Sequence, residues 1–329
     1  MTETMQALLC ESFGPPEGLV LRELAVPQPG EGEVLIRVHS AGLNFPDTLI
    51  IEDKYQIKAP LPFAPGGELA GVVEKVGPGV TRLKVGDRVA ALTHWGGFAD
   101  YAIAQEARTT LVPQTMDLDV ASAFTLVYGT SHYALKQRGA LKAGETVLVL
   151  GASGGTGLSA IEIAKAMGAR VIAGASTAEK LAIAKAHGAD ELVNYAEEDL
   201  KARVKALTGG KGVDVIYDPV GDKLADPAFR TIGWEGRYLV IGFAGGQIPA
   251  VPFNLALVKG ASIVGVFWGD FVARDPAGHH ANMAELYAMH AEGKLKPLIS
   301  ERFPMAEGGK AIRHMMDRKA TGKVIVMAG

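Results

Sequence analysis

From residue 33 to about residue 112 the apolar positions come in short runs broken by glycine and proline, as in GEVLIRVHS, GELAGVVEKVG and VGDRVAAL. They show little 3.6-residue period, so they predict β-strands, and their succession predicts a barrel. From about residue 121 the pattern changes. VLVLGAS, RVIAGAS, VDVIYDPV, RYLVIGFA and ASIVGVFW are apolar strands, most of them separated by alanine-rich helical stretches. That alternation predicts a parallel sheet covered on both faces. Beyond Trp268 the pattern gives a polar loop over 269–280, a helix in AELYAMHAEGKL and a last strand in KVIVMA that returns to the first domain.

The fold class is therefore α/β, with a barrel domain over 1–125, completed by 269–329, and a doubly wound parallel-sheet domain over 126–268. A length of 329 residues suits two domains with room for a nucleotide site. The net charge is −3 and the cations are scattered, which gives no electrostatic footprint for nucleic acid. No apolar run reaches the length that spans a bilayer, and residues 1–9 lack the basic start of a signal peptide, so the reading is a cytosolic protein. Its one cysteine, Cys10, can form neither an internal disulfide nor a thiolate zinc site and reads as a buried, inert thiol.

The segment ETVLVLGASGGTGLSAIEIAKAMGA places Gly151, Gly154, Gly155 and Gly157 between a strand and a helix. Glycine there lets the chain turn tightly and lets a pyrophosphate approach the exposed N–H groups at the helix start. Ser153 and Thr156 add hydroxyl donors. The strand, turn, helix and strand context points to a dinucleotide rather than to a plain tight turn. An acid at the end of the second strand would bind the ribose 2′-hydroxyl of NAD. Here Ala175 and Ser176 stand in its place and Lys180 follows, an arrangement that favours a 2′-phosphate and so NADPH.

Taken with AGLNFPDTLI, PGGELAGVVEKVG, GGFADYA, GTSHYAL, STAEK, VNY, GRYLVIGFAGG, VFWGD and DRKATGKVIV, the chain resembles the zinc-independent quinone oxidoreductases and ζ-crystallins of the medium-chain dehydrogenase/reductase superfamily. The resemblance implies a GroES-like barrel and a Rossmann domain. It also implies that Ser176, Lys180 and Arg318 meet the 2′-phosphate, with Tyr195 against the adenosine end. Thr130, Gly242 and Phe243 would lie near the pyrophosphate and nicotinamide ribose, and Phe267 and Trp268 near the carboxamide. Read alone, the three aromatic residues are core positions.

Alcohol dehydrogenases of the same superfamily hold a catalytic zinc with cysteine and histidine. Asn44 stands where they carry cysteine, and Gly66, Gly67 and Glu68 stand where they carry Gly-His-Glu. The pair His279 and His280 reads as a solvated loop. Without a metal, hydride transfer needs an electron-poor acceptor whose charge oxygen can carry, such as a quinone or an α,β-unsaturated carbonyl.

Asn44 and Tyr55 are the candidate catalytic donors, since the resemblance places an asparagine and a tyrosine at the nicotinamide end; read alone they are a turn residue and a loop aromatic. Asp47 suits a helix start, and His94 and Trp95 are either pocket lining or loop packing. Three readings follow: a quinone reductase, a C=C reductase of activated alkenes, and an NADPH-binding structural or regulatory protein. ASIVGVFW, apolar on both faces, predicts a homodimer paired through the last Rossmann strand, with cover from within the chain as the alternative.

Overall fold

The computed structural model describes residues 3–329. The chain divides into two compact units, the first running to Leu126 and adding Val272–Met283 and Pro297–Gly329, the second comprising Val127–Phe271 and Ala284–Lys296.

In the first unit, Glu33–Gly42 is the central strand of a seven-stranded sheet. Its exposed Arg37 and His39 alternate with the buried Val38 and Ser40, the two-residue period of a strand with one face in the core. Glu68–Val76 pairs along one edge. The other edge is shared by Tyr101–Gln105 at the start of the strand and Lys323–Met327 at its end. The antiparallel register sets Ile325 opposite Gly42, and the Leu43 N–H donates to the Val324 carbonyl at 2.9 Å. Carried two residues further, that register brings Lys323 level with Asn44. Val34, Ile36, Leu69, Val89, Phe98, Val324 and Val326 form part of the core, each buried side chain contributing about 1.5–3 kcal/mol. Cys10 lies in the same cluster, its thiol pushed up by burial.

The second unit holds, among the described residues, a six-stranded sheet in the order Glu191–Asn194, Arg170–Ala175, Thr146–Val149, Val213–Asp218, Ile232–Val240, Ser262–Gly265. Every neighbouring pair is parallel. The order runs outward in both directions from Thr146–Val149, so the switch point lies beside the strand that feeds the glycine turn. Helix Gly155–Ala166 buries Leu158, Ala160, Ile161, Ile163 and Ala164. Its Glu162 is buried as well, and accepts hydrogen bonds from the Tyr128 hydroxyl (2.7 Å) and the Lys296 N–H (2.9 Å) while His187 Nδ1 lies 2.6 Å from its other oxygen.

The tail departs from the sequence reading. The expected loop over 269–280 is two helices, Trp268–Arg274 and Pro276–Ala291. Pro276 and Gly278 read as loop punctuation, yet a proline at the first helical position is also a start signal, and Asp275 accepts from the Gly278 N–H at 2.9 Å. His279 is consequently buried rather than solvated. Nor does the tail return to the first unit in one piece. Ala284–Lys296 stays with the second unit, tied to it by Lys296 on Glu162 and by Glu285 on Lys136 at 2.5 Å. Among the described residues no helix is long and apolar enough to cross a membrane.

Burial, reinforced by His280 and Arg108, lowers the His279 pKa from 6.5 to about 4. With the folded value below the ordinary one, the neutral ring favours the folded state at and above pH 6.5, and that stability is lost as pH falls towards 4. Roughly 2–3 kcal/mol is at stake. Thermal unfolding of a His279→Gln variant between pH 6.5 and 4 is expected to show a shallower fall in midpoint than the parent; an identical slope would show that His279 does not carry the acid sensitivity.

Candidate functional site

In the second unit, the parallel strands deliver their carboxyl ends to one edge of the sheet, and most of the expected cofactor residues lie there. Gly151 follows Thr146–Val149 with φ of +58°, a left-handed conformation that glycine adopts at no steric cost. Gly154 caps helix Gly155–Ala166. A Cβ on Gly157 would lie 2.4 Å from the Gly151 carbonyl oxygen and 2.8 Å from Ala152 Cα, so only glycine lets the helix begin this close to the strand end. The first N–H groups of that twelve-residue helix have no partner within it. Ser153 is buried and Thr156 half-buried within the same turn.

Ser176 and Lys180 sit at the end of the next strand, Arg170–Ala175. Thr177 caps helix Ala178–Ala186, its hydroxyl accepting from the Lys180 N–H at 3.3 Å. Lys180 is thus the third helical residue, half-buried beside Ser176. An acid does stand nearby: Glu179, exposed, is held below the usual carboxylate range by its own backbone N–H and the Thr177 hydroxyl. Tyr195 follows Glu191–Asn194, donates its N–H to the Ala175 carbonyl at 3.1 Å, and lays its ring against Gly174, where a Cβ would be 3.3 Å from Tyr195 Cδ1. Ser176, Lys180 and Tyr195 therefore gather at one corner.

Gly242 and Phe243 follow Ile232–Val240, with Phe243 over Gly221, where a Cβ would meet its ring at 2.9 Å. The Gly221 turn is pinned by buried Asp218, which accepts from the Val220 and Gly221 N–H groups at 2.8 Å and from the Tyr238 hydroxyl. Phe267 is 59% exposed, which removes it from the core reading, whereas Trp268 is buried. The Trp268 indole rests on Gly129, whose Cβ would come within 2.4 Å of the ring, and Thr130 is the next residue, half-buried. Arg318 belongs to the first unit, exposed, just after helix Gly308–Met316.

In the first unit, Asn44 stands before helix Phe45–Ile50. Its amide donates to the Gly42 carbonyl at 3.1 Å and to Glu68 Oε2 at 2.8 Å, while its Oδ1 accepts from Lys323 Nζ at 2.5 Å. Both amide hydrogens are therefore committed inward. The expected role of Asn44 as a hydrogen-bond donor to substrate does not fit this geometry. Asp47 accepts from the Asn44 N–H at 2.8 Å and from the Gly66 and Gly67 N–H groups at 3.2 Å; burial nevertheless pushes its carboxyl up to about 6. Tyr55, half-buried, follows the same helix, and burial together with the Asp47 charge raises its phenol pKa. His94 lies 2.5 Å from Arg108 Nη1 and its pKa is lowered by burial and by that cation, and Trp95 packs edge-on to Phe63. Both are accounted for by loop packing.

Glu68 and Lys323 escaped the sequence reading as working residues. Glu68 is fully buried and accepts from the Leu126 N–H at 2.7 Å; Lys323 Nζ lies 3.2 Å from its other oxygen and donates to the Leu43 carbonyl at 2.9 Å. A charged residue opening an apolar strand, as in ELAGVV and KVIVMA, was the available signal. These residues do not fit zinc. The donors at 44 and 66–68 include no thiolate or imidazole, and an ammonium already contacts Asn44 and Glu68. Among the described residues no three His, Cys, Asp or Glu side chains form a metal-binding group.

Two family models match the chain: the alcohol dehydrogenase GroES-like domain over residues 30–114 and the zinc-binding dehydrogenase domain over 155–285. Quinone oxidoreductase-like protein 2 of Rattus norvegicus is 38% identical over 98% of this chain and 91% of its own. A mycobacterial protein solved in complex with NADPH superposes with a TM-score of 0.92 at 33% identity, covering 98% of this chain and 99% of that one. Escherichia coli quinone oxidoreductase, also solved with NADPH, gives 0.90 at 28% identity over 99% and 100%.

If the glycine turn cradles a dinucleotide, Gly157→Ala is expected to weaken NADPH binding by about tenfold or more in calorimetric titration while the circular dichroism spectrum stays native. Unchanged affinity would reduce the turn to a structural bend.

Proposed function

Because the chain belongs to the zinc-independent quinone oxidoreductase branch of the medium-chain dehydrogenase/reductase family, we propose that it is a cytosolic, NADPH-dependent reductase that passes hydride to a quinone. The observation that carries the cofactor choice is the corner formed by Ser176, Lys180 and Tyr195. There Ser176, and then Lys180 in the first turn of helix Ala178–Ala186, follow the strand end where an NAD-binding protein would place an acid. Two relatives solved with NADPH support the same choice.

The turn from Ser153 to Gly157 would take the pyrophosphate on backbone N–H groups, and Ser176, Lys180 and Arg318 the 2′-phosphate. Thr130, Gly242, Phe243, Phe267 and Trp268 would hold the nicotinamide half. When bound, NADPH supplies the hydride. The chain's own part is to polarise the acceptor oxygen and meet the charge that develops there. Tyr55 fits that task, because a phenol is protonated at neutral pH and therefore a donor, and burial with the Asp47 charge raises its pKa further. Asn44 then serves by holding the start of helix Phe45–Ile50, from which Tyr55 follows.

The last strand, Ser262–Gly265, is an edge of its sheet, with Ile263 and Phe267 exposed. An apolar edge of this kind invites pairing with another strand, and a second copy of the chain is the proposed partner. Sedimentation at micromolar concentration is expected to give a dimer; a monomer would remove this part of the proposal.

The function is tested by following NADPH consumption with a panel of quinones and activated alkenes. Quinone turnover is expected. Turnover of alkenes alone would replace the quinone by a C=C acceptor, and tight NADPH binding without turnover of either would favour a structural or regulatory role. Tyr55→Phe is expected to lower kcat by about 100-fold with the NADPH Kd unchanged. Lys180→Glu is expected to weaken NADPH about tenfold or more and leave NADH binding little altered.

A further inference from the structure

Packing accounts for where His94 sits but not for what faces it. A Cβ on Gly67 would come 2.8 Å from the His94 carbonyl oxygen, so the His94 loop adjoins the N–H groups held by Asp47, whose charge bears on Tyr55. His94 holds φ at +72°, a conformation uncommon for a residue with a side chain, and its Nε2 lies 2.5 Å from Arg108 Nη1. A guanidinium only donates, so this nitrogen accepts and the ring is neutral. Arg108 is half-buried, and burial is what lowers its pKa; among the described residues no carboxylate answers it. The start of helix Pro276–Ala291 adds more base to the same place. His280 hydrogen-bonds the Ala107 backbone, its ring is 5.3 Å from that of His279, and the Arg108 charge bears on His279. The His280 Nε2 is buried without a partner, as is the Thr93 hydroxyl on the His94 loop. Arg82 also bears on His280. The acid that does so, Glu106, is already committed to the N–H groups of Thr81, Arg82 and Leu83. All of these residues belong to the first unit.

We propose that Arg108, backed by His94 and the His279 and His280 pair, receives an oxyanion, and that the acceptor is accordingly an acid: a quinone or conjugated carbonyl that carries a carboxylate or like group beside its reducible part. One Arg108 donor is taken by His94, and the rest of the fork matches the two oxygens of a carboxylate. An anion also offsets the cations that keep the neighbouring histidines neutral. The anchor lies one loop away from the segment that Asp47 holds, so Arg108 selects the acceptor and takes no part in the hydride step. The acceptor half rests on the reductase reading; the anion site itself does not.

Binding is read without turnover. With saturating NADP⁺ present, so that the phosphate sites of the second unit are filled, and at constant ionic strength, the thermal midpoint of the parent is expected to rise saturably with levulinate and not with methyl levulinate. Arg108→Gln is expected to abolish the response. Arg108→Lys is expected to keep part of it, because an ammonium supplies the charge without the fork. A parent indifferent to levulinate, or an Arg108→Gln chain that responds as the parent does, overturns the anion site. Should Arg108→Gln fail to fold, Arg108→Met, similar in length and with no charge to bury, decides by the same readout.

The acceptor half is read from two matched pairs, naphthoquinone sulfonate against naphthoquinone and acetylacrylate against its methyl ester, each differing by one anionic group. The ratio of kcat/KM for the charged member to that for the neutral one is expected to fall about tenfold or more in Arg108→Gln, the loss of a charge-assisted hydrogen bond, with the change carried by KM. Arg108→Lys is expected to fall between the two. An unchanged ratio overturns the acceptor half even where levulinate binding is lost. Absence of turnover in every chain, the parent included, defeats the reductase reading and with it the acceptor half, and leaves the levulinate result to decide the anion site.

Discussion

The first unit depends on one buried charge being answered. Glu68 lies wholly out of solvent, and an isolated carboxylate in such surroundings would be expensive by several kcal/mol. Three elements converge to meet it: the cap of helix Phe45–Ile50 through Asn44, the first turn of helix Thr125–His132 through the Leu126 N–H, and the last strand through Lys323. Each oxygen and each N–H of the cluster has an assigned partner, which makes the arrangement specific as well as tolerable. The helix carrying Asp47, and the segment after it carrying Tyr55, take their starting point from this cluster.

The second unit is organised differently. Its glycine turn and its helix starts at the strand ends offer a ligand N–H groups and helix dipoles in fixed positions. Charged side chains there include Lys180 and Glu179 at the corner and Asp218 beneath the Gly221 turn. A phosphate-bearing ligand suits a surface of that kind because its charge is met by backbone N–H groups and a helix dipole. Both units nevertheless bury carboxylates with assigned partners, Glu68 in the first and Glu162 and Asp218 in the second.

What the sequence disclosed follows from how far apart the interacting residues lie. The glycine turn and the Ser176 and Lys180 corner were legible because each is written within one strand, turn and helix. Lys323 was not, since its partners Asn44 and Glu68 are 279 and 255 residues away, and a lysine before VIVMA reads locally as a solvated strand end. The same distance hid the true state of Asn44, whose donors are taken by groups no local pattern reveals. His279 failed for another reason. Asp275, Pro276 and Gly278 carry the letters of a loop and of a helix start alike, and only the burial of the helix separates the two.

The strand Lys323–Met327 also imposes an order on biosynthesis. A ribosome releases Asn44 and Glu68 279 and 255 residues ahead of the lysine that answers Glu68 and opens the strand completing the edge of Glu33–Gly42. The parallel sheet, by contrast, has all its strands once Gly265 is out. Although domains generally fold in the order they are made, here the half begun first is finished last, and until then a nascent chain carries an unanswered acid at the heart of its first unit.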